Sequence, residues 1–446
     1  MTIINLPNHI KICLNLLEMA GFEAFVVGGC VRDSLLDKEP KDWDICTSAL
    51  PEQVISQLSG DRWKVVPTGS AHGTVTAIWG GQKTEITTFR CDGQYIDHRR
   101  PEKVEFVKNL EFDLSRRDFT INAMAYNPNR GLIDLFGGQD DLASRLLRCV
   151  GDSVSRFSED ALRILRLFRF CAQLDFDSDA SALRAAALCR EDLRHISAER
   201  IFGELERLLV CKNPGKTLQN MCKSGVLQVI IPEISDLMGF NQHTPYHHLP
   251  VDLHTFKSID SIDPSRILRL TMLMHDIAKP PCFTMDKNGV GHFKGHAELG
   301  AKMSEKILTR MRCDSDTIRR VSRLVAMHSG SIEPDEVTIK KLLSRLGDEV
   351  LRDLIAVKTA DTKAKEPSMI SKRLKSLKKC GDMLESILAQ NPCVTLKDLA
   401  VAGDDLIALG IRGAEIGKTL RFLLEAVIEG QLENTKKALI DYLASD

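Results

Sequence analysis

Aromatic residues fill only 5% of the 446 positions, and no apolar run approaches the ~20 residues that a bilayer crossing demands. The first 21 residues lack the basic start and small-residue cleavage site of a secretory signal. No Cys-x-x-Cys pair occurs. The thirteen cysteines are scattered, as in a cytoplasmic protein with reduced thiols, not in a disulfide frame or a zinc ribbon. An excess of one charge is missing too: 60 Lys+Arg stand against 61 Asp+Glu, a net −1. That balance argues against non-specific coating of DNA, yet it averages over local patches and leaves an RNA ligand open. Internal repeats and low-complexity tracts are absent. What remains is 43% hydrophobic and 27% charged, enough for about three globular domains at roughly 150 residues each.

The first 150 residues differ in texture from the rest. Phe25-Val26-Val27 running into Gly28-Gly29 reads as a strand and turn, and residues 75–79 and 84–89 flank Gly80-Gly81 as a hairpin. A further strand is expected at 104–107, with helices at 10–20 and 51–58, so this part is α+β. Beyond Gly151 strands are expected to stop. Residues 158–174, 180–189 and 198–209 carry apolar side chains at three- and four-residue spacing, the pattern of amphipathic helices. Residues 363–379 hold seven Lys/Arg and one Glu. From Val394 a last helical segment is punctuated by Gly403, Gly410, Gly413 and Gly417.

Gly28-Gly29-Cys30-Val31-Arg32-Asp33 is followed by Asp42-Trp43-Asp44. On a strand, Asp42 and Asp44 project to one face and share divalent cations. The glycines admit a phosphate to the backbone N–H groups, and Arg32 offers a fork to its oxygens. Two metals on paired carboxylates activate an attacking hydroxyl and steady a leaving pyrophosphate. An isolated Asp-x-Asp is commonly a solvated turn; a Gly-Gly before it is far more specific. This combination resembles the polymerase-β-like nucleotidyltransferase superfamily. Arg116-Arg117-Asp118-Phe119-Thr120-Ile121-Asn122-Ala123, Asp134-Leu135-Phe136-Gly137-Gly138, Glu159-Asp160-Ala161-Leu162-Arg163 and Ser197-Ala198-Glu199-Arg200 with Glu204 follow in order. They resemble the later motifs of class II tRNA nucleotidyltransferases, which are the CCA-adding enzymes and their poly(A) polymerase relatives.

Asp160 and Arg163 have a reading of their own. At i and i+3 on a helix they share a face, about 5–6 Å apart. A carboxylate accepts from an exocyclic amine while a guanidinium donates to the neighbouring ring nitrogen. Cytosine and adenine present that order; guanine and uracil reverse it. Taken alone, the pair reads as a surface ion pair; its place after the other motifs favours base selection without a template. Arg163, Arg166 and Arg169 stand three apart, interleaved with Leu165, Phe168 and Phe170, which alone describes a cationic face over a core.

The resemblance implies that these arginines bind base or triphosphate. It implies that Gly28, Gly29, Arg32 and Arg117 contact nucleotide, that Asn122 supports the ribose, and that Glu85 is a third active-strand carboxylate. The polar segment Cys91-Asp92-Gly93-Gln94-Tyr95-Ile96-Asp97-His98-Arg99-Arg100-Pro101 lies where CCA-adding relatives use a loop to switch from C to A.

A second constellation runs His254, His275-Asp276, His296, His328 and Asp361. Single histidines on helices are usually core or surface residues, but this ordered set resembles the HD phosphohydrolase superfamily. His254 and Asp361 would be outer ligands, and His296 and His328 the extra pair of two-metal members. Mixed N/O donors suit several divalent metals without identifying one. The chemistry implied is a metal-bound hydroxide attacking a phosphate ester. Residues 402–417 resemble the tail with which bacterial relatives grip the tRNA elbow.

The expectation is therefore an α+β protein: a polymerase-β-like nucleotidyltransferase head with a small mixed sheet over 1–150. All-helical neck and body (151–242), HD domain (243–365) and tRNA-binding tail (366–446) follow. Implied are Mg²⁺ in the head, a divalent metal of unknown identity in the HD domain, and tRNA, CTP and ATP as partners. No DNA or membrane partner is expected, and a monomer or homodimer is. Implied too is addition or repair of the 3′-CCA of tRNA in the cytoplasm. The alternatives are a poly(A) polymerase, an A-only or C-only enzyme on the same scaffold, or an HD phosphodiesterase with an RNA-binding head.

Overall fold

A computed structural model describes residues 3–60, 62–67, 69–93, 104–246 and 248–445. Most of the expected C-to-A loop, residues 94–101, lies outside them. The chain divides into two compact units, Met1–Pro232 and Glu233–Asp446.

The first unit is built on a seven-stranded sheet. Its strands are β1 (Ala24–Val27), β2 (Asp44–Thr47), β3 (Lys64–Val66), β4 (Thr74–Trp79), β5 (Gln82–Thr88), β6 (Met124–Asn127) and β7 (Gly131–Asp134). The spatial order is β3-β4-β5-β2-β1-β6-β7. The sheet is mixed: β2 and β5 run parallel, and the other neighbours are antiparallel. β1 is buried at all four positions, which is why Ala24-Phe25-Val26-Val27 is continuously apolar instead of alternating. Gly80 (φ 55°) and Gly81 (φ 85°) close the β4–β5 hairpin, both in the left-handed region that a tight primed turn requires. Phe25, Val27, Cys46, Phe89, Leu110 and Leu114 pack together beneath the sheet.

Residues 198–209 and 51–58 form helices over the expected spans, Ala198–Leu209 and Pro51–Leu58. Two expectations are corrected. The stretch 158–174 is two helices, Ser153–Glu159 and Leu162–Leu174, broken at Asp160 and Ala161. Strands also do not stop at residue 150: Asp177–Ser178 returns to pair in parallel with Leu146–Leu147.

Among its described residues the second unit has no strands other than a short hairpin, Thr284–Met285 with Gly291–His292, and is otherwise built of helices. The helices Val251–Asp260, Arg266–Met274, His296–Arg310, Ser315–Met327, Glu336–Leu346, Asp348–Lys363 and Ser371–Ala389 come first. Gly403–Ala408, Ala414–Ile428 and Lys436–Ser445 follow. Gly410 (φ 87°) and Gly413 (φ 63°) turn the chain between the first two of these. No helix among the described residues is long and apolar enough to cross a membrane, and all thirteen cysteines are thiols.

Candidate active site

The head site grows out of the junction between β1 and the helix Gly29–Leu35. Gly28 adopts φ 81° and ψ −128°, and a Cβ there would lie 3.1 Å from Arg117 Nη1. Glycine is required twice at this position, for its backbone and for the close approach of a guanidinium.

The carboxylates gather at one end of β2 and β5. Asp44 opens β2 and sits directly opposite Glu85 in the parallel register. Both side chains reach solvent, whereas Ile45, Cys46, Thr84 and Ile86 beside them are buried. Glu85 is thereby placed by strand alternation on the open face. Asp42 is exposed but precedes β2, so the two aspartates do not share a strand as the spacing suggested. Electrostatics still couple the group. Desolvation by the surrounding walls, then the charges of Asp42 and Glu85, push the Asp44 carboxyl up to about 6, against the pull of Arg117. An Asp44 carboxyl raised by two neighbouring acids fits a divalent cation, whose charge would relieve the repulsion.

A buried polar chain leads away from this end. Arg32, 5% exposed, donates from Nη1 to Asn122 Oδ1 at 2.7 Å. Asn122 Nδ2 donates to Asp118 Oδ1 at 3.2 Å, and Arg166 Nε donates to Asp118 Oδ2 at 2.8 Å. Burial alone would raise the Asp118 carboxyl, but Arg166 and the Asn122 hydrogen bond hold it at about 2. Asp113, fully buried, accepts from Arg116 at 2.7 Å and from Arg117 at 3.1 Å. Asp113 was not among the expected residues, although it stands one helical turn before both arginines, at i+3 and i+4 spacing. Asp118 lay inside a recognised motif without a role.

Asp160 and Arg163 are brought together differently from expectation. Asp160 has extended backbone (φ −137°, ψ 102°), and its Oδ1 accepts from Leu162 N at 3.1 Å, so it caps the helix bearing Arg163 instead of lying on it. Arg163 N still donates to the Asp160 carbonyl at 3.0 Å. The two side chains have separate partners. Asp160 Oδ2 accepts from Arg200 at 3.3 Å, and Arg163 donates to Glu159 at 2.5 Å and to the Arg116 carbonyl at 3.1 Å. The surface ion pair is therefore not the one the spacing offered. Arg166 remains half-buried, while Arg169 is buried against Glu204 at 2.5 Å and Gln173 at 2.7 Å. Glu204 thus anchors the arginine-bearing helix.

In the second unit, helices deliver six side chains to one place. Donor atoms lie within 4.8 Å of one another in two groups among the described residues, His254–His275–Asp276 and Asp276–His296–His328. Asp276 belongs to both. Asp361 Oδ1 closes the first at 3.1 Å from His254 Nε2. The Nε2 atoms of His254 and His275 are 3.4 Å apart, and those of His296 and His328 are 3.2 Å apart. Backbone carbonyls of Met272, Phe293 and Val325 take up Nδ1 of His275, His296 and His328 at 2.6–2.7 Å. That fixes their tautomers and presents Nε2 inward, the orientation metal-ligating imidazoles adopt. Asp276 and Asp361 are held well below the usual carboxylate range: burial opposes this, but His275 and Lys279 act on the first and Lys365 on the second. Burial keeps His254 and His296 below their ordinary value; for His275 the adjacent Asp276 outweighs burial and the net shift is upward. Ionised acids and converging imidazoles fit divalent metals. Beside them opens a cavity of about 510 Å³ lined by Lys279, Lys365, Arg373, Phe293 and Tyr246.

Residues 24–148 match the poly(A) polymerase head domain, 175–238 the RNA- and SrmB-binding site of polymerase A, and 295–443 the tRNA nucleotidyltransferase domain 2. The fold is that of a nucleotidyltransferase, an enzyme class whose chemistry uses a divalent metal. The CCA-adding enzyme of Bacillus velezensis is 32% identical over 97% of this chain and 96% of its own length. That of Lactobacillus delbrueckii subsp. bulgaricus is 35% identical, with the same coverage. The crystal structure of the Bacillus stearothermophilus CCA-adding enzyme in complex with CTP superposes with a TM-score of 0.74 at 28% identity, covering 98% of this chain and 96% of that one. The chain belongs to the CCA-adding enzyme family.

Proposed function

We propose that the protein adds or restores the 3′-terminal CCA of tRNA from CTP and ATP, releasing pyrophosphate, in the cytoplasm. The observation that carries the reading is the Asp44–Glu85 register pair beside Gly28 and Arg117, with Asp42 close enough to raise the Asp44 carboxyl. Asp42, Asp44 and Glu85 would hold Mg²⁺, which when bound lowers the pKa of the attacking hydroxyl and shields the leaving group. Gly28 and Gly29 leave room for the triphosphate, and Arg32 and Arg117 neutralise it. Asn122, fixed at both ends by Arg32 and Asp118, supports the ribose. The RNA 3′-hydroxyl attacks the α-phosphate in line, and pyrophosphate departs.

Asp160 and Arg163 select the base. The carboxylate takes the exocyclic amine of C or A, and the guanidinium donates to cytosine N3 or adenine N1. Arg166 adds charge toward the nucleotide, and Arg169 keeps the row in place through Glu204. Incubating the chain with tRNA lacking its last three nucleotides and single labelled NTPs tests the reading. Two C additions followed by one A support it; long A tails, or addition of A alone or C alone, favour the rival enzymes on this scaffold.

A second activity is favoured by the converging set in the second unit. His254, His275, Asp276 and Asp361 would hold one divalent metal, and Asp276, His296 and His328 another. Bound there, the metals supply a hydroxide for hydrolysis of a phosphomonoester or a 2′,3′-cyclic phosphate. Lys279, Lys365 and Arg373 line the cavity where the phosphate would sit. His275→Ala should abolish hydrolysis and spare CTP incorporation; the reverse pattern would make the head an RNA-binding module only.

A further inference from the structure

Lys358 is buried to 3% exposure on the helix Asp348–Lys363, where it faces no carboxylate within ion-pair distance among the described residues. Its Nζ is instead surrounded by backbone. It donates to the carbonyls of Met327, His328 and Ser329 at 2.8 Å each and approaches that of Gly330 at 3.3 Å. These four consecutive carbonyls begin at the last residue of the helix Ser315–Met327. A helix end leaves its final carbonyls without intrahelical partners and carries partial negative charge, so a cation is favoured there. Burying an ammonium without an opposing acid is nevertheless expensive. Three donated bonds, one for each N–H, mark a built contact, not a chance packing of a long side chain.

We propose that Lys358 is a positioning residue for His328. Three residues farther along its own helix stands Asp361, a ligand of the first half-site. Lys358 therefore clamps the backbone of a second-half-site ligand to the helix that carries a first-half-site ligand. The imidazole of His328 is aimed by two independent holds: Val325 O at 2.7 Å on Nδ1, and Lys358 on its own carbonyl. The result is Nε2 at 3.2 Å from His296 Nε2 and 3.7 Å from Asp276 Oδ1. Lys358→Met keeps the stem length and removes every donor. The turn is then still held by Arg373 on the Gly330 carbonyl at 2.6 Å but no longer at His328 and Ser329, and His328 moves relative to Asp276.

This inference rests on the two-metal reading of the second unit, and its test separates the two. The full-length chain is titrated with Mn²⁺ and followed by electron paramagnetic resonance, with Asp276→Ala as the blank for ions bound elsewhere. The wild-type chain should show an exchange-coupled Mn pair. Lys358→Met should retain one uncoupled ion, with the second bound about 10- to 100-fold more weakly, as in His328→Ala, while incorporating CTP at the wild-type rate. Lys358→Gln, which keeps two donors on a shorter stem, should fall between and serves if the Met variant does not fold. A coupled pair of wild-type affinity in either variant, or loss of both ions together, overturns the positioning role. Absence of a coupled pair in the wild-type chain overturns the metal reading itself, before any substitution is made.

Discussion

Asp44 and Glu85 stand opposite each other across the parallel strand pair of the head sheet. Like charges placed directly opposite destabilise a sheet, and this pair has Asp42 nearby as a third. The arrangement costs stability, as functional sites commonly do, and a cation bound there would relieve it.

The sign of the resulting pH dependence is fixed by the upward shift of Asp44 from 3.8 to about 6. The folded chain holds its proton more tightly than the unfolded one, so this group's contribution is full below pH ~4 and is lost as pH rises through 6. In metal-free protein Asp44→Asn should therefore raise the melting temperature at pH 7, by roughly 2–4 °C if solvent screening reduces the effect to about 1 kcal/mol. The gain should disappear below pH ~4. Nucleotide incorporation should fall by a factor on the order of 10³ or more. An Asn variant no more stable than wild type at pH 7 would contradict the charge crowding.

Asp113 supports a different kind of expectation. It is fully buried and holds Arg116 and Arg117 on its two oxygens. Asp113→Ala leaves two cationic side chains without their shared acid, a loss of about 3–5 kcal/mol for a broken buried pair. The head should melt markedly earlier. Under conditions where it stays folded, KM for CTP and ATP should rise more than kcat falls, because Arg117 loses its aim. Chemical denaturation and steady-state kinetics on the same preparation check both.

Asp160 and Arg163 predict a specificity change. A site that hydrogen-bonds its substrate's edge discriminates because the wrong edge leaves buried polar groups unpaired. Asp160→Ala should lower kcat/KM for CTP and ATP by about 10²-fold or more and lower that for GTP and UTP much less, compressing the preference. Since Asp160 also caps the arginine helix through Leu162 N, Asp160→Asn is the sharper variant. It keeps an acceptor for the cap and adds donors that suit guanine or uracil. Equal losses on all four nucleotides would point to helix capping alone.

Much of this was legible from the chain. Helix spans such as Ala198–Leu209 followed from apolar periodicity because one face packs continuously. The break at Asp160 was not, because Asp160 and Ala161 interrupt the helix for two residues while the apolar rhythm runs on either side. That Asp42 precedes β2 was equally hidden: alternation requires a strand, and Asp-x-Asp carries no mark of where the strand begins. Glu85 came from motif position, but its pairing with Asp44 is a register between segments 41 residues apart, set by the sheet. The supporting charges were missed for a simpler reason. Asp113, Lys279 and Lys365 sit at i+3 or i+4 spacing from groups they hold, a pattern that exposed helices also show by the dozen, and only burial separates the two.

Metal loading of the second unit gives the last expectation. Asp276 is 1% exposed, with His254 at 3.5 Å, His275 at 3.2 Å and Lys279 at 2.7 Å from Oδ2. Lys279 and His275, whose proton Asp276 favours, offset its charge without a metal, so the fold should survive chelation and the metal should act as a ligand that stabilises by mass action. Adding Mn²⁺ to chelated protein should raise the melting transition of this unit, by about 2.7 kcal/mol at a free concentration 100-fold above Kd. His254→Ala should reduce that gain, and Asp276→Ala, which removes the carboxylate that faces His254 and His275 with Oδ2 and His296 and His328 with Oδ1, should abolish it. Because protons compete for the imidazoles, the Mn²⁺-dependent gain should shrink as pH is lowered from 7.5 to 5.5. A gain independent of pH, or one that persists in Asp276→Ala, would place the stabilising ion somewhere other than at these six side chains.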